Sequence, residues 1–120
     1  MTEGELILYT SEDGSTSIRL RAAGGTVWLP QLEMADLFQT SKQNISLHIK
    51  NILEERELSE DSVVKEYLTT AADGKKYQTK LYNLDMILSV GYRVKSLRGT
   101  QFRQWATTHL REYLIKGFVM

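Results

Sequence analysis

The residues best placed to do chemistry on a partner lie in the segment from Ser41 to Leu53. Ile45, Ile49, Ile52 and Leu53 follow the spacing of a helix with one apolar face. With that face inward, Lys42, Gln43, Ser46, Leu47 and Lys50 point outward, and Asn44, His48 and Asn51 lie at the flanks. Gln and Asn pair bidentately with adenine, Lys reaches guanine or phosphate, and an exposed Leu fits a thymine methyl. The candidate base-reading set is therefore Lys42, Gln43, Asn44, Ser46, Leu47, Lys50 and Asn51. Ser41 is a good N-cap, and a helix starting there would turn its free amides, with Ser41 itself, toward a phosphate. The same residue types cover any solvated helix, so both readings stand at this point.

A second set is defined by charge. Arg93, Lys95, Arg98 and Arg103 fall within eleven residues, the most basic stretch of the chain. They suit backbone phosphates, and equally they could anchor carboxylates of the acidic segments. Lys75 and Lys76 sit at an Asp-Gly turn with Lys80 close behind, the right types for a loop laid over a nucleic-acid backbone or for an ordinary solvated tip. The candidate phosphate contacts are Ser41, Lys75, Lys76, Arg93, Lys95, Arg98 and Arg103. Arg19 and Arg21 read instead as the solvated face of a strand. Net charge is zero, which argues mildly against DNA, but the charges are segregated. Residues 1–41 hold six acidic and two basic side chains, and residues 85–120 hold two acidic and six basic.

The elements that must position these groups follow in order. Glu5 to Thr10 and Ser17 to Ala22 read as strands of a hairpin turned at Asp13-Gly14, and Thr26 to Leu29 as a third strand, with Trp28 in the core. Pro30 opens a short helix in which Leu32, Ala35 and Phe38 share a core face. A polar corner at Gln39 and Thr40 joins it to the helix capped by Ser41, the pattern of a helix-turn-helix. Many such corners carry Gly. Gln39 at positive φ would cost about 1 kcal/mol, so a different turn geometry is expected. Ser62 to Thr70 and Tyr77 to Tyr82 flank AADGKK as a second hairpin, in the place of a wing. Asn83 caps a helix that Gly91 ends, and Thr100 caps a long last helix whose stripe of Phe102, Trp105, Ala106, His109, Leu110, Tyr113 and Leu114 reads as core or dimer surface, with His109 buried.

The expected fold is α+β, a winged helix-turn-helix-like domain with two β-hairpins and a long C-terminal helix. One domain covers residues 1–120, with an N-terminal hairpin at 5–29, the helix-turn-helix at 30–54, the wing-like hairpin at 62–82 and C-terminal helices at 84–117. There is no cysteine, and His48 and His109 stand alone, so neither a metal site nor any other cofactor is expected. No phosphate loop, nucleophile elbow or paired carboxylates appear, so no enzyme activity and no small-molecule substrate are expected. No secretion signal or spanning segment appears, and a cytoplasmic protein that does not enter membranes is expected.

The segments TVWLPQLEMADLFQTSKQNISLHIKNI and LYNLDMILSVGYRVKSLRGTQFRQWATTHLREYLIKGF resemble the N-terminal part of the RhuM family of virulence-associated, pathogenicity-island and phage proteins. GYRVKSLRGTQFRQWAT is also similar to the N-terminal domain of phage antirepressor and baculovirus repeated-ORF proteins. The resemblance implies a DNA-binding domain in transcriptional or phage-related regulation, with double-stranded DNA as partner and a homodimer as the working unit. Longer members continue into a domain resembling the Fic/Doc fold, of which this chain carries no phosphate-loop signature, so it resembles a piece of a longer protein or a stand-alone domain. The alternative is a protein-interaction or oligomerisation module that positions such a catalytic domain. AADGKK is shorter than the corresponding loop of relatives, which shortens the reach expected of Lys75 and Lys76.

Overall fold

The computed structural model describes residues 6–114, so Glu5 and the end of the expected last helix, residues 115–117, lie outside the described residues. Five strands form one antiparallel sheet: β1 (Leu6–Thr10), β2 (Ser17–Ala23), β3 (Thr26–Pro30), β4 (Val64–Thr70) and β5 (Lys76–Asn83), in the order β1-β2-β3-β5-β4. Helices α1 (Gln31–Phe38), α2 (Lys42–Glu54), α3 (Glu60–Val63), α4 (Leu84–Val94) and α5 (Leu97–Trp105) complete the fold, and α5 runs on through a wide π turn at Ala106–Leu110. The two hairpins expected separately are thus the two halves of one sheet, joined where β3 pairs with β5 from Trp28↔Asn83 to Pro30↔Leu81.

Alternation decides which face of the sheet carries the helices. Ile18, Leu20 and Ala22 of β2 and Val27 and Leu29 of β3 are buried, as is Tyr82 of β5, the partner of Leu29. Met34, Leu37 and Phe38 of α1, Ile45, Ile49 and Ile52 of α2, Met86, Ile87 and Val90 of α4, and Phe102 of α5 complete the core over that face. Each aliphatic side chain fully withdrawn from water contributes roughly 1.5–3 kcal/mol, so the helix layer is held chiefly by this seam. Trp28 is the exception to the core expectation. It lies on the opposite face by the period of two, donates from Nε1 to the Ala23 carbonyl at 3.2 Å, and carries the Lys65 ammonium 5.4 Å above its ring.

Several element ends differ from expectation, each for a local reason. Leu32 is 66% exposed, because α1 turns Met34, Ala35, Leu37 and Phe38 inward instead. Ser62 and Val63 close a short helix whose N-cap is Ser59, and the strand begins only at Val64. Gly91 does not end α4: a Cβ there would stand 2.8 Å from the Phe38 ring, and one on Gly99 would stand 2.7 Å from the Gly91 carbonyl oxygen. The two glycines let α4 and α5 cross almost backbone to backbone above Phe38. Helix α5 starts at Ser96, whose hydroxyl accepts from the Gly99 amide at 3.1 Å, one turn before the expected Thr100 cap. Its π turn widens the repeat, so the buried positions Phe102, Ala106 and Leu110 recur every four residues and His109 is swung outward, exposed rather than buried. Among the described residues no helix is long and apolar enough to cross a membrane, and no group of three or more His, Cys, Asp or Glu could hold a metal ion.

Candidate nucleic-acid interface

Helix α2 is fixed from behind and at both ends. Ile45, Ile49 and Ile52 are buried, and the Ser41 hydroxyl accepts from the Asn44 amide at 3.0 Å, satisfying one of the free donors of the first turn. The corner before it keeps the compact geometry despite the missing glycine. Gln39 adopts φ 55°, ψ 51°, the Thr40 amide donates back to the Ala35 carbonyl at 3.0 Å, and the Gln39 side-chain amide donates to the Asp36 carbonyl at 2.8 Å. That side-chain bond offsets part of the left-handed strain. Gln31, at the start of α1, spans the corner by donating from Nε2 to the Lys42 carbonyl at 3.2 Å and to the Ser46 hydroxyl at 2.7 Å.

With this anchoring, Lys42, Gln43, Ser46, Leu47 and Lys50 line one broad, shallow concavity of about 610 Å³ made entirely by α2. All five are exposed, and Leu47 leaves 52% of its surface in water. Asn44 and Asn51 do not join them. Both are half-buried, and the Asn44 amide donates to the Thr40 hydroxyl at 2.9 Å, which turns it toward the corner. Five of the seven candidate base-reading residues therefore share one accessible face.

The basic run divides. Arg93, its side chain 23% exposed, donates from Nη2 to Glu55 at 2.8 Å and to Glu57 at 2.7 Å. These bonds lower both carboxyl pKa values and raise that of the guanidinium, Arg93 being the first cause in each carboxylate. Glu55 and Glu57 flank Arg56, whose φ of 60° ends α2, so Arg93 clamps the C-terminal end of that helix to α4. Arg98 is more enclosed still, its side chain 14% exposed; Nη2 donates to Asp13 at 3.2 Å and to the Ser15 hydroxyl at 2.7 Å in the loop between β1 and β2. Neither guanidinium is presented to a phosphate, and the carboxylate-anchoring alternative describes both. Lys95 and Arg103 remain exposed, as do Ser41, Lys75 and Lys76.

The β4–β5 hairpin reaches well beyond the sheet. Pairing between β3 and β5 stops at Pro30↔Leu81, but β4 and β5 continue together through the five pairs from Glu66↔Lys80 to Thr70↔Lys76. At about 3.4 Å per residue this two-stranded ribbon adds roughly 17 Å before its turn. The turn closes through a Gly74 amide to Ala71 carbonyl bond of 2.9 Å, with Gly74 at φ 84° and the Asp73 carboxylate accepting from the Lys75 amide at 2.9 Å. The ribbon leaves from the end of β3 at which Gln31 begins α1, the residue bonded to Lys42 and Ser46. Its root and the start of α2 therefore share one end of the sheet. Gln31 and the ribbon register carry this arrangement, and neither stands out in the sequence, although the alternation in KYQTK is there to be read.

Compared with known proteins, the chain matches no curated protein and no solved structure. Residues 62–120, which begin after α2 and include the ribbon, α4 and α5, are similar to the family model described as Virulence protein RhuM family.

Proposed function

We propose that the protein is a double-stranded-DNA-binding module of winged helix-turn-helix type, with α1 and α2 as the helix pair and the β4–β5 ribbon as the wing. The observation that carries the reading is the shared exposure of Lys42, Gln43, Ser46, Leu47 and Lys50 on a helix locked by its own apolar face. Lys42 and Lys50 reach guanine or phosphate, Gln43 pairs with adenine, and Leu47 meets a thymine methyl. Ser41, Lys75, Lys76, Lys95 and Arg103 supply the backbone grip, and Arg93 and Arg98 act behind it as positioning residues. On this reading the role is regulatory and non-enzymatic, as the resemblance of residues 91–107 to antirepressor N-terminal domains implies. Two copies acting as a homodimer on half-sites one helical turn apart would supply the affinity that one small module lacks.

A salt series on fluorescent duplex tests the reading. Affinity should fall by about 10³-fold between roughly 50 and 200 mM salt if several phosphates are neutralised. Lys50→Ala or Gln43→Ala should reduce discrimination between preferred and random duplex by about 1–3 kcal/mol, as loss of a bidentate contact does. Binding that is absent at the lowest salt, or that ignores both substitutions, rules the reading out.

A further inference from the structure

The ribbon presents two different faces, and only one of them looks toward the helix side of the sheet. Tyr82 marks that side, because its partner Leu29 is wholly buried beneath the helices. Counting by twos along β5 puts Lys80, Gln78 and Lys76 on the same side, and the register sets Glu66, Leu68 and Thr70 beside them on β4. Tyr77 and Thr79 fall on the other side, with Lys65 and Trp28. The helix-side face thus has an apolar and an amide group at its centre, the cross-strand pair Leu68 and Gln78, with a lysine on either side along β5. Leu68 leaves 63% of its surface in water, although β-strand leucines normally bury one face.

We infer that this face is a second DNA-reading surface, in which Lys76 and Lys80 hold phosphates while Gln78 and Leu68 meet the edges of bases beyond those read by α2. The inference rests on the proposed DNA-binding function and extends it to a bipartite site. Three features select duplex DNA as the occupant. Residues 64–80 carry four lysines against Glu66 and Asp73, and Asp73 is turned back onto the Lys75 amide. A two-stranded ribbon has the width that a major groove admits. An isolated ribbon is marginal by itself, and a partner along its open face supplies the missing cover. Position agrees as well: the pairing that ends at Pro30↔Leu81 sets Lys80 level with Gln31, the residue bonded to the first turn of α2, so the row starts beside the reading helix and runs outward from it.

The test uses the 120-residue chain and a library of randomised duplexes, with circular dichroism to establish that each variant is folded. Lys76→Ala and Lys80→Ala should weaken binding to every sequence alike, each lowering the slope of log affinity against log salt by about 0.9; Lys80→Gln serves as a second variant at the ribbon root. Gln78→Ala should relax preference by about tenfold at a base step different from the one relaxed by Lys50→Ala. Tyr77→Ala, on the opposite face, should bind as the wild type does. If the helix-side variants bind like wild type while Lys50→Ala still loses discrimination, the ribbon inference is overturned and the α2 reading stands. It is overturned equally if Tyr77→Ala is the variant that weakens binding. A wild-type chain that binds no duplex at all removes both.

Discussion

Asp13 shows how a single side chain can mislead a charge count. Its carboxylate accepts from the Ser11 hydroxyl at 2.7 Å, the Ser15 amide at 3.0 Å and the Ser15 hydroxyl at 2.9 Å, and Arg98 closes the set. These bonds, Ser11 first, hold its pKa well below the usual carboxylate range. The ordinary value in the unfolded chain is about 3.9, so the stabilisation is complete above that pH and is lost as pH falls through the lower folded value. Urea midpoints measured from about pH 5 downward should therefore show wild type more stable than Asp13→Asn at the upper end, with the gap shrinking as acid is added; a gap independent of pH contradicts this. Arg98→Ala should lower the midpoint yet leave the salt slope of DNA binding unchanged, since Nη2 is bonded to the loop and Nη1 is buried away from solvent. The basic stretch itself is legible in the sequence. Its partners are not, because Arg93 and Glu55 are 38 residues apart and Arg98 and Asp13 are 85 apart, and no local pattern pairs them.

At the scale of elements, what is legible is what local chemistry fixes. The apolar spacing of Ile45, Ile49 and Ile52 and the Ser41 cap specify α2 within a residue, and the β-branched runs specify all five strands. What is not legible depends on neighbours distant in the chain. Gly91 reads locally as a helix terminator, yet it is the point where α5 crosses α4 over Phe38, and α4 runs on to end at its C-cap Lys95, in the left-handed region, before Ser96 caps α5. Gly99→Ala should accordingly destabilise the fold by about 1–3 kcal/mol, the cost of forcing backbones apart in a packed core, measured by chemical denaturation. The outward His109 comes from the widened turn at Ala106–Leu110, whereas Leu110 is buried and Leu114 packs on the core, as the helical spacing of the stripe has them. A loss from Gly99→Ala no larger than that of an exposed-site substitution would mean the crossing is looser than described.

For the whole molecule the question is how a chain with zero net charge could hold a polyanion. Internal neutralisation is the answer we propose. Glu55, Glu57 and Asp13 are paired with Arg93 and Arg98 within the fold, leaving Lys42 and Lys50 on α2 and Lys75, Lys76 and Lys80 on the ribbon free to face outward. Sheet topology then does the positioning, because β3 hands its end to α1 and α2 while β5 passes that end as the ribbon. The most direct measurement is a titration of the isotope-labelled chain with duplex DNA, following backbone amide chemical shifts residue by residue at low salt. The account predicts that the largest changes cluster at Lys42–Lys50 and along Lys76–Lys80, with the outer strand β1 and the Arg93 clamp unmoved. Changes concentrated on the exposed residues of α5, or on β1, with α2 and the ribbon silent, would contradict it.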